Sequence, residues 1–317
     1  MSGRSRPAAL PAPRAPAGPD GQPAAYYGRP VLKPPVWTWQ VPAYLFAGGL
    51  AGAAGPLAFA ARLAGNDRLA RAALTSGAAA ALVSPPLLIA DLGRPERFHH
   101  MLRVVKPTSP LNVGSWLLAA AAPALAGAAV ADRLGILPRL ARGTEAAAAL
   151  LGPALATYTG VLLADTAIPT WHEAGRELPA LFAAGAATSA GAVACLLVPP
   201  GPADPARRLA LGGAAAELGV HAAMERRLGD LGDPYRTGLA GRLTRLARRL
   251  TVAGAVTLGL AGRRRLPTAA GAALLLVGSA ATRYAVVAAG GASARDPRHV
   301  VAPQRRRLAA GDGDHRP

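Results

Sequence analysis

Cysteine is almost absent: the chain has 317 residues and one cysteine, Cys195, inside an apolar run. Iron–sulfur clusters and thiolate metal sites need several cysteine ligands, so neither can be built here, and Cys195 reads as a packing residue. Histidine is scarce in the same way. Of six histidines only His221 falls within a candidate membrane span, and a membrane b-type haem takes histidines from facing helices, so bis-histidine haem is excluded. The first forty residues are rich in Pro, Ala and Arg and hold no apolar core, so no cleavable signal peptide is expected. No internal repeat is visible. A chain with no haem, no cluster and no metal-ligand set cannot carry electrons through a membrane unaided. Any redox role requires a diffusible organic carrier and a partner subunit.

Charge is also sparse, at 16% against 51% hydrophobic residues, with a mean hydropathy of +0.25. That balance points to a membrane. A helix needs about 20 apolar residues to cross a hydrocarbon layer of about 30 Å. Runs of that length occupy Val41–Leu63, Leu69–Ala90, Asn112–Ala131, Ala146–Ile168, Leu178–Val198 and Thr268–Ala289. Two weaker runs, Leu209–Met224 and Leu250–Gly262, span only if their charged neighbours snorkel. The expected fold is an all-α polytopic transmembrane helix bundle of about eight spans, with six as the alternative. Residues 1–35 read as a disordered basic tail, 36–290 as the membrane domain and 291–317 as a polar C-terminal tail.

The net charge of +18 raises nucleic acid as a partner, but the arginines cluster at the ends of apolar runs and not along one polar face. Lipid headgroups explain that placement better, and no nucleic acid is expected. With both termini on one face, called the A side, that face carries 23 of the 35 Lys and Arg and the opposite B side 11. The positive-inside rule then puts the termini and the A-side loops of this multi-pass cell-membrane protein in the cytoplasm.

Intramembrane polar groups cost about 2.5–3.5 kcal/mol each for a central Asp or Arg, so the few that occur are candidates for function. Tyr158 and Asp165 stand seven residues apart, two turns of one helix face. Glu217, His221 and Glu225 form a stripe at i, i+4 and i+8. Each has a plain reading beside the functional one: Tyr158 bonded to a backbone carbonyl, Asp165 paired with an A-side cation such as Arg176, and Glu217 and His221 marking a helix that does not fully cross. The densest polar stretch is "DLGRPERFHHMLRVVKPTSP", Asp91 to Pro110, with four cations, two carboxylates, two histidines and three prolines between apolar runs. Tyr44, Tyr158, His221 and this loop all fall toward the A-side half, where they are expected to converge.

The stretch from Asp91 to Trp116, "DLGRPERFHHMLRVVKPTSPLNVGSW", together with "WTWQVPAYLFAGGLAG", "YTGVLLADTAIPTWHE" and "RYAVVAAGGASARDPRHVVAPQR", resembles the NrfD/polysulfide reductase family of membrane subunits. The resemblance runs over most of the chain from about Pro35. It implies an eight-helix, haem-free subunit that anchors an iron–sulfur (ferredoxin-like) subunit and a molybdopterin catalytic subunit and exchanges electrons with quinone or quinol of the menaquinone or ubiquinone type. In one branch the headgroup is held at the start of the first helix and by a tyrosine of the fourth, which correspond here to Tyr44, where that branch has a histidine, and Tyr158. The loop is then a lid over the quinone. His99 and His100 are candidate quinone or proton groups, and Asp91, Arg94, Arg97, Arg103 and Lys106 candidate docking residues. Asp165, His172, Glu217 and His221 are candidates for the proton path. The competing readings are a passive anchor without quinone turnover and an ion-coupled transporter, the latter expected to show two related halves.

Overall fold

A computed structural model describes residues 32–301. Residues 1–31 and 302–317, which hold most of the two expected tails, lie outside the described residues. Nine α-helices follow in order: α1 (Gln40–Leu63), α2 (Asp67–Ala90), α3 (Pro110–Leu134), α4 (Pro138–Ala164), the short α5 (Pro169–Glu173), α6 (Leu178–Leu197), α7 (Asp204–Leu228), α8 (Gly238–Leu260) and α9 (Arg265–Arg295). Two 3-10 turns, Pro95–Leu102 and Gly229–Tyr235, sit in loops. No strand occurs among the described residues, and the fold is an all-α bundle.

Six helices, α1 to α4, α6 and α9, are long and apolar enough to cross a membrane. The other two long ones, α7 with 25 residues and α8 with 23, match them in length at about 1.5 Å per residue but are interrupted by charge. The weak run at Leu250–Gly262 proves to be the second half of α8. Its first half carries Arg242, Arg245, Arg248 and Arg249, all exposed, while Ala240, Thr244, Ala247, Thr251, Gly254 and Leu258 form one buried stripe. Helix α9 runs five residues past the expected end of the membrane domain, with Ser293 and Ala294 buried.

Local chemistry sets the helix ends. Proline stands in the first turn of α3, α4, α6 and α7, where no N–H is missed. Ser109 caps α3 and Asn66 caps α2. Gly135 closes α3 at φ 65°, a left-handed conformation that glycine adopts without strain.

Helices α1 to α4 form an up-and-down group in which α1 packs against both α2 and α4. Helix α6 joins this group to α7 and α9, and α8 and α9 form a long hairpin. The α1–α4 contact is close because Gly52 lacks a side chain: a Cβ there would stand 2.7 Å from Ala156 N. At the B end, Arg62 of α1 binds Asp67 of α2 at 3.0 Å, Asp132 of α3 at 2.7 Å and Glu145 of α4 at 3.3 Å. One guanidinium thus joins four helices at the end opposite the loop from Asp91 to Pro110.

Candidate functional site

That loop is folded onto the bundle by hydrogen bonds from its own motif. Asp91 Oδ1 accepts from Thr38 N at 3.0 Å and Thr38 Oγ1 at 2.8 Å, which ties the loop's first residue to the segment before α1. At the far end Asn112 works in both directions: its Nδ2 donates to Met101 O and its Oδ1 accepts from Lys106 N, each at 2.7 Å. Trp116 Nε1 donates to Val104 O at 3.3 Å. Ser115 Oγ donates to Leu111 O at 2.8 Å and stands 3.8 Å from Met101 Sδ.

The neighbouring "WTW" segment is a strap across the same face. Trp37 stacks on Trp171 of α5, with ring centroids 5.0 Å apart. Trp171 Nε1 donates to Val286 O of α9 at 2.7 Å, and Tyr284 Oη donates to Trp39 O at 3.2 Å. Helices α1, α2, α5 and α9 are therefore held together at the A side.

The loop covers a cavity of about 280 Å³ between α2 and α3. Phe98, Met101 and Leu102 of the 3-10 turn form its roof, Pro85, Leu88 and Ile89 of α2 one wall, and Ser115, Leu118, Ala119, Ala122 and Pro123 of α3 the other. Ala119 and Pro123 are exposed on the outside of the bundle, so the cavity is a lateral cleft. Ser115 is the single hydroxyl in an otherwise apolar lining. This space suits an apolar planar ring system with a few polar atoms.

The expected ligands surround this cleft without lining it. Tyr158 is 9% exposed and its ring lies against Gly114, where any Cβ would overlap it, one residue from Ser115. Tyr44 is buried between α1 and α2. A Cβ on Gly48 would stand 3.8 Å from its ring and 3.9 Å from Ser84 Oγ, and Ser84 precedes the cleft residue Pro85. His99 and His100 pack edge to face on each other, centroids 4.4 Å apart, and are exposed. Arg94, Arg97, Arg103 and Lys106 are exposed and make no ion pair among the described residues. Asp91, also expected among the docking groups, accepts both Thr38 hydrogen bonds on Oδ1. Asp165 and His172 are exposed on the A face, with His172 Nδ1 3.1 Å from Ala164 O.

A second polar centre lies inside α6, α7 and α9. Glu217 is 3% exposed and Arg283 1% exposed. Arg283 Nη2 donates to Phe182 O at 2.8 Å, and its guanidinium carbon sits 4.1 Å from the centroid of the Phe182 ring. Arg283 Nε and Nη1 and both Glu217 carboxylate oxygens have no hydrogen-bond partner among the described residues. His221, one turn along α7, stands 3.4 Å from Glu225, which binds Arg248 of α8 at 3.1 Å. Arg283 falls within the last apolar run, Thr268–Ala289, and is the one cation of the 35 that belongs to neither face, yet no role was expected of it. The rule that singled out Glu217 applied to it equally, since a central arginine is as costly as a central carboxylate. Sequence reasoning also missed Thr38, Asn112 and Ser115, whose partners are known only once the loop is folded.

The family model described as "Polysulphide reductase, NrfD" matches residues 31–200, slightly more than half of the chain. No curated protein matches it. The matched region holds the strap, the lid loop, the cleft and α1 to α6; α7 to α9 lie beyond it.

Proposed function

The chain belongs to the polysulphide reductase NrfD family, the membrane subunits of quinone-linked oxidoreductase complexes, and on that premise we propose that it passes electrons between the membrane quinone pool and a ferredoxin-like iron–sulfur subunit, itself coupled to a molybdopterin enzyme. The observation that carries this reading is the lateral cleft of about 280 Å³ under the loop. It is apolar, open toward the bilayer side of α3, and roofed by a segment with exposed cations that make no ion pair among the described residues.

The lining fits a quinone headgroup of the menaquinone or ubiquinone type. When bound, a quinone supplies what the chain lacks, the exchange of two electrons together with two protons. The chain's own residues do the rest. Phe98, Met101, Leu102, Leu88 and Ile89 exclude water. Ser115, whose proton goes to Leu111 O, keeps lone pairs free to accept a hydrogen bond. Tyr158, behind the α3 wall at Gly114, and Tyr44 are the candidate phenol donors, reached by a headgroup that passes the wall. His99, His100, Asp165 and His172, all exposed on the A face, pass protons to water there. Arg94, Arg97, Arg103 and Lys106 form a docking surface for an acidic partner close above the cleft. By the charge count this face is cytoplasmic, in the cell membrane.

A passive anchor is the second reading, favoured by one observation: neither tyrosine and neither histidine lines the cleft itself. The two separate on a single variant. Ser115→Leu should fill the cleft and abolish quinone-analogue binding and quinone turnover in the complex purified through a tag on this chain, while the partner subunits still co-purify. Unchanged turnover in that variant would leave only the anchor.

A further inference from the structure

Between α7, α8 and α9 lies a cavity of about 20 Å³ lined by Glu217, His221, Thr244, Thr251, Arg248 and Thr282, among others. That volume holds one water, which needs two to four polar partners. The partners are present. Both Glu217 oxygens and Thr244 Oγ1 are buried without a hydrogen bond. Thr282 and Thr188 stand beside Glu217, with their hydroxyls also within reach of Gly278 O at 3.2 Å and Ala184 O at 2.9 Å.

From this cavity the titratable groups lead outward on one face of α7. Side-chain exposure rises from 10% at His221 to 18% at Glu225 toward the A end of α7, and Glu225 binds Arg248 of α8, whose side chain is 49% exposed. The groups facing the path are Arg283 of α9, Arg248 of α8 and Tyr235 of the 3-10 turn before α8, whose ring meets His221 edge to face at 5.7 Å. Burial and the Glu225 carboxylate push the Tyr235 phenol upward, so it stays protonated. In the B direction the buried positions of α7 are Ala206, Ala210, Gly213 and Ala214, which cannot hold a proton.

We propose that the α7–α9 interior is a hydrated proton-loading site, in which Glu217 exchanges a proton with water on the A side through one internal water, His221 and Glu225. The step is a transfer only. A proton leaves the imidazole or the Glu225 carboxyl for the water, the water gives one to a Glu217 oxygen, and no electron moves. Because the buried positions of α7 toward the B side hold no titratable side chain, the site loads and unloads through the A face. It is separate from the lid cleft and does not depend on quinone binding there.

The test is infrared spectroscopy of the full-length protein in lipid nanodiscs, titrated with acid and transferred to D2O. We expect a carboxylic C=O band that grows as pH falls, shifts in D2O and is missing from Glu217→Gln. Ala285→Leu, which fills the water's place, should keep the band but lose its rapid D2O shift, and His221→Phe should slow that shift about tenfold. Ser115→Leu, which closes the lid cleft, should leave the band as it is, so a failed quinone reading and a failed proton site give different spectra. No Glu217-dependent band at any pH, or an exchange rate that Ala285→Leu and His221→Phe leave unaltered, would overturn the proposal.

Discussion

The lid end of the first four helices and the interior of α7 to α9 use polar residues in opposite ways. Under the lid the enclosed space is large and almost purely hydrocarbon, and the charges point away from it. Asp91 and Asn112 close on nearby backbone or hydroxyl groups, while Arg94, Arg97, Arg103 and Lys106 remain on the surface. In α7 to α9 the space admits a single water, and a carboxylate and a guanidinium are buried beside it with orphaned atoms. The first arrangement excludes water and welcomes an organic ring. The second is too small for an organic ring and has room for one water.

The sharpest way to break this contrast is Arg283→Met. If Arg283 compensates a buried carboxylate, its loss leaves Glu217 uncompensated and should cost about 3–5 kcal/mol of stability. Thermal unfolding in detergent reads this as a lower midpoint, partly restored by adding Glu217→Gln. An unchanged midpoint would mean the two charges are not coupled. Next in size is Asn112→Ala, which removes both hydrogen bonds at the base of the lid at about 1–3 kcal/mol, counting the groups left unpaired. Hydrogen exchange should rise across Pro95–Lys106 and stay level in α7 to α9. A rise in both would show that the regions are not independent.

Tyr158→Phe should remove one donor behind the wall of the cleft, lowering quinone turnover about tenfold, roughly 1.4 kcal/mol of barrier, with complex assembly intact. Unchanged quinone kinetics would take Tyr158 out of the mechanism. The smallest effects belong to the lid cations. Replacing any one of Arg94, Arg97, Arg103 or Lys106 with Gln should change stability by less than about 0.5 kcal/mol while weakening partner capture, most visibly at low salt.

How far the sequence reveals all this differs between the same two regions. The apolar runs located α1 to α4, α6 and α9, because span length is a property of a contiguous stretch, but they missed the charged first turns of α4, from Pro138, and the last turns of α9, to Arg295. The boundaries of α7 and α8 came out short, since Arg207, Arg208, Arg242 and Arg245 read as loop until the buried stripe of each helix is known. The lid motif announced its importance but not its wiring. Asp91 finds Thr38 across 53 positions, a pairing that no local pattern encodes. Tyr158 was placed near the loop by span depth and by the family resemblance, and the structure sets it against Gly114, behind the wall of the cleft. Arg283 was legible and passed over, because a single cation in a 31-residue helix is easily read as one more basic residue in an arginine-rich chain.

The most direct measurement is photo-crosslinking with a quinone carrying a photoreactive headgroup, followed by peptide mapping of the full-length protein in lipid. We expect label on Phe98–Leu102 and on Ser115–Pro123, competed away by unmodified quinone and lost in Ser115→Leu. Competable label confined to α7–α9, or no competable label under the lid at all, would contradict a quinone site in the cleft.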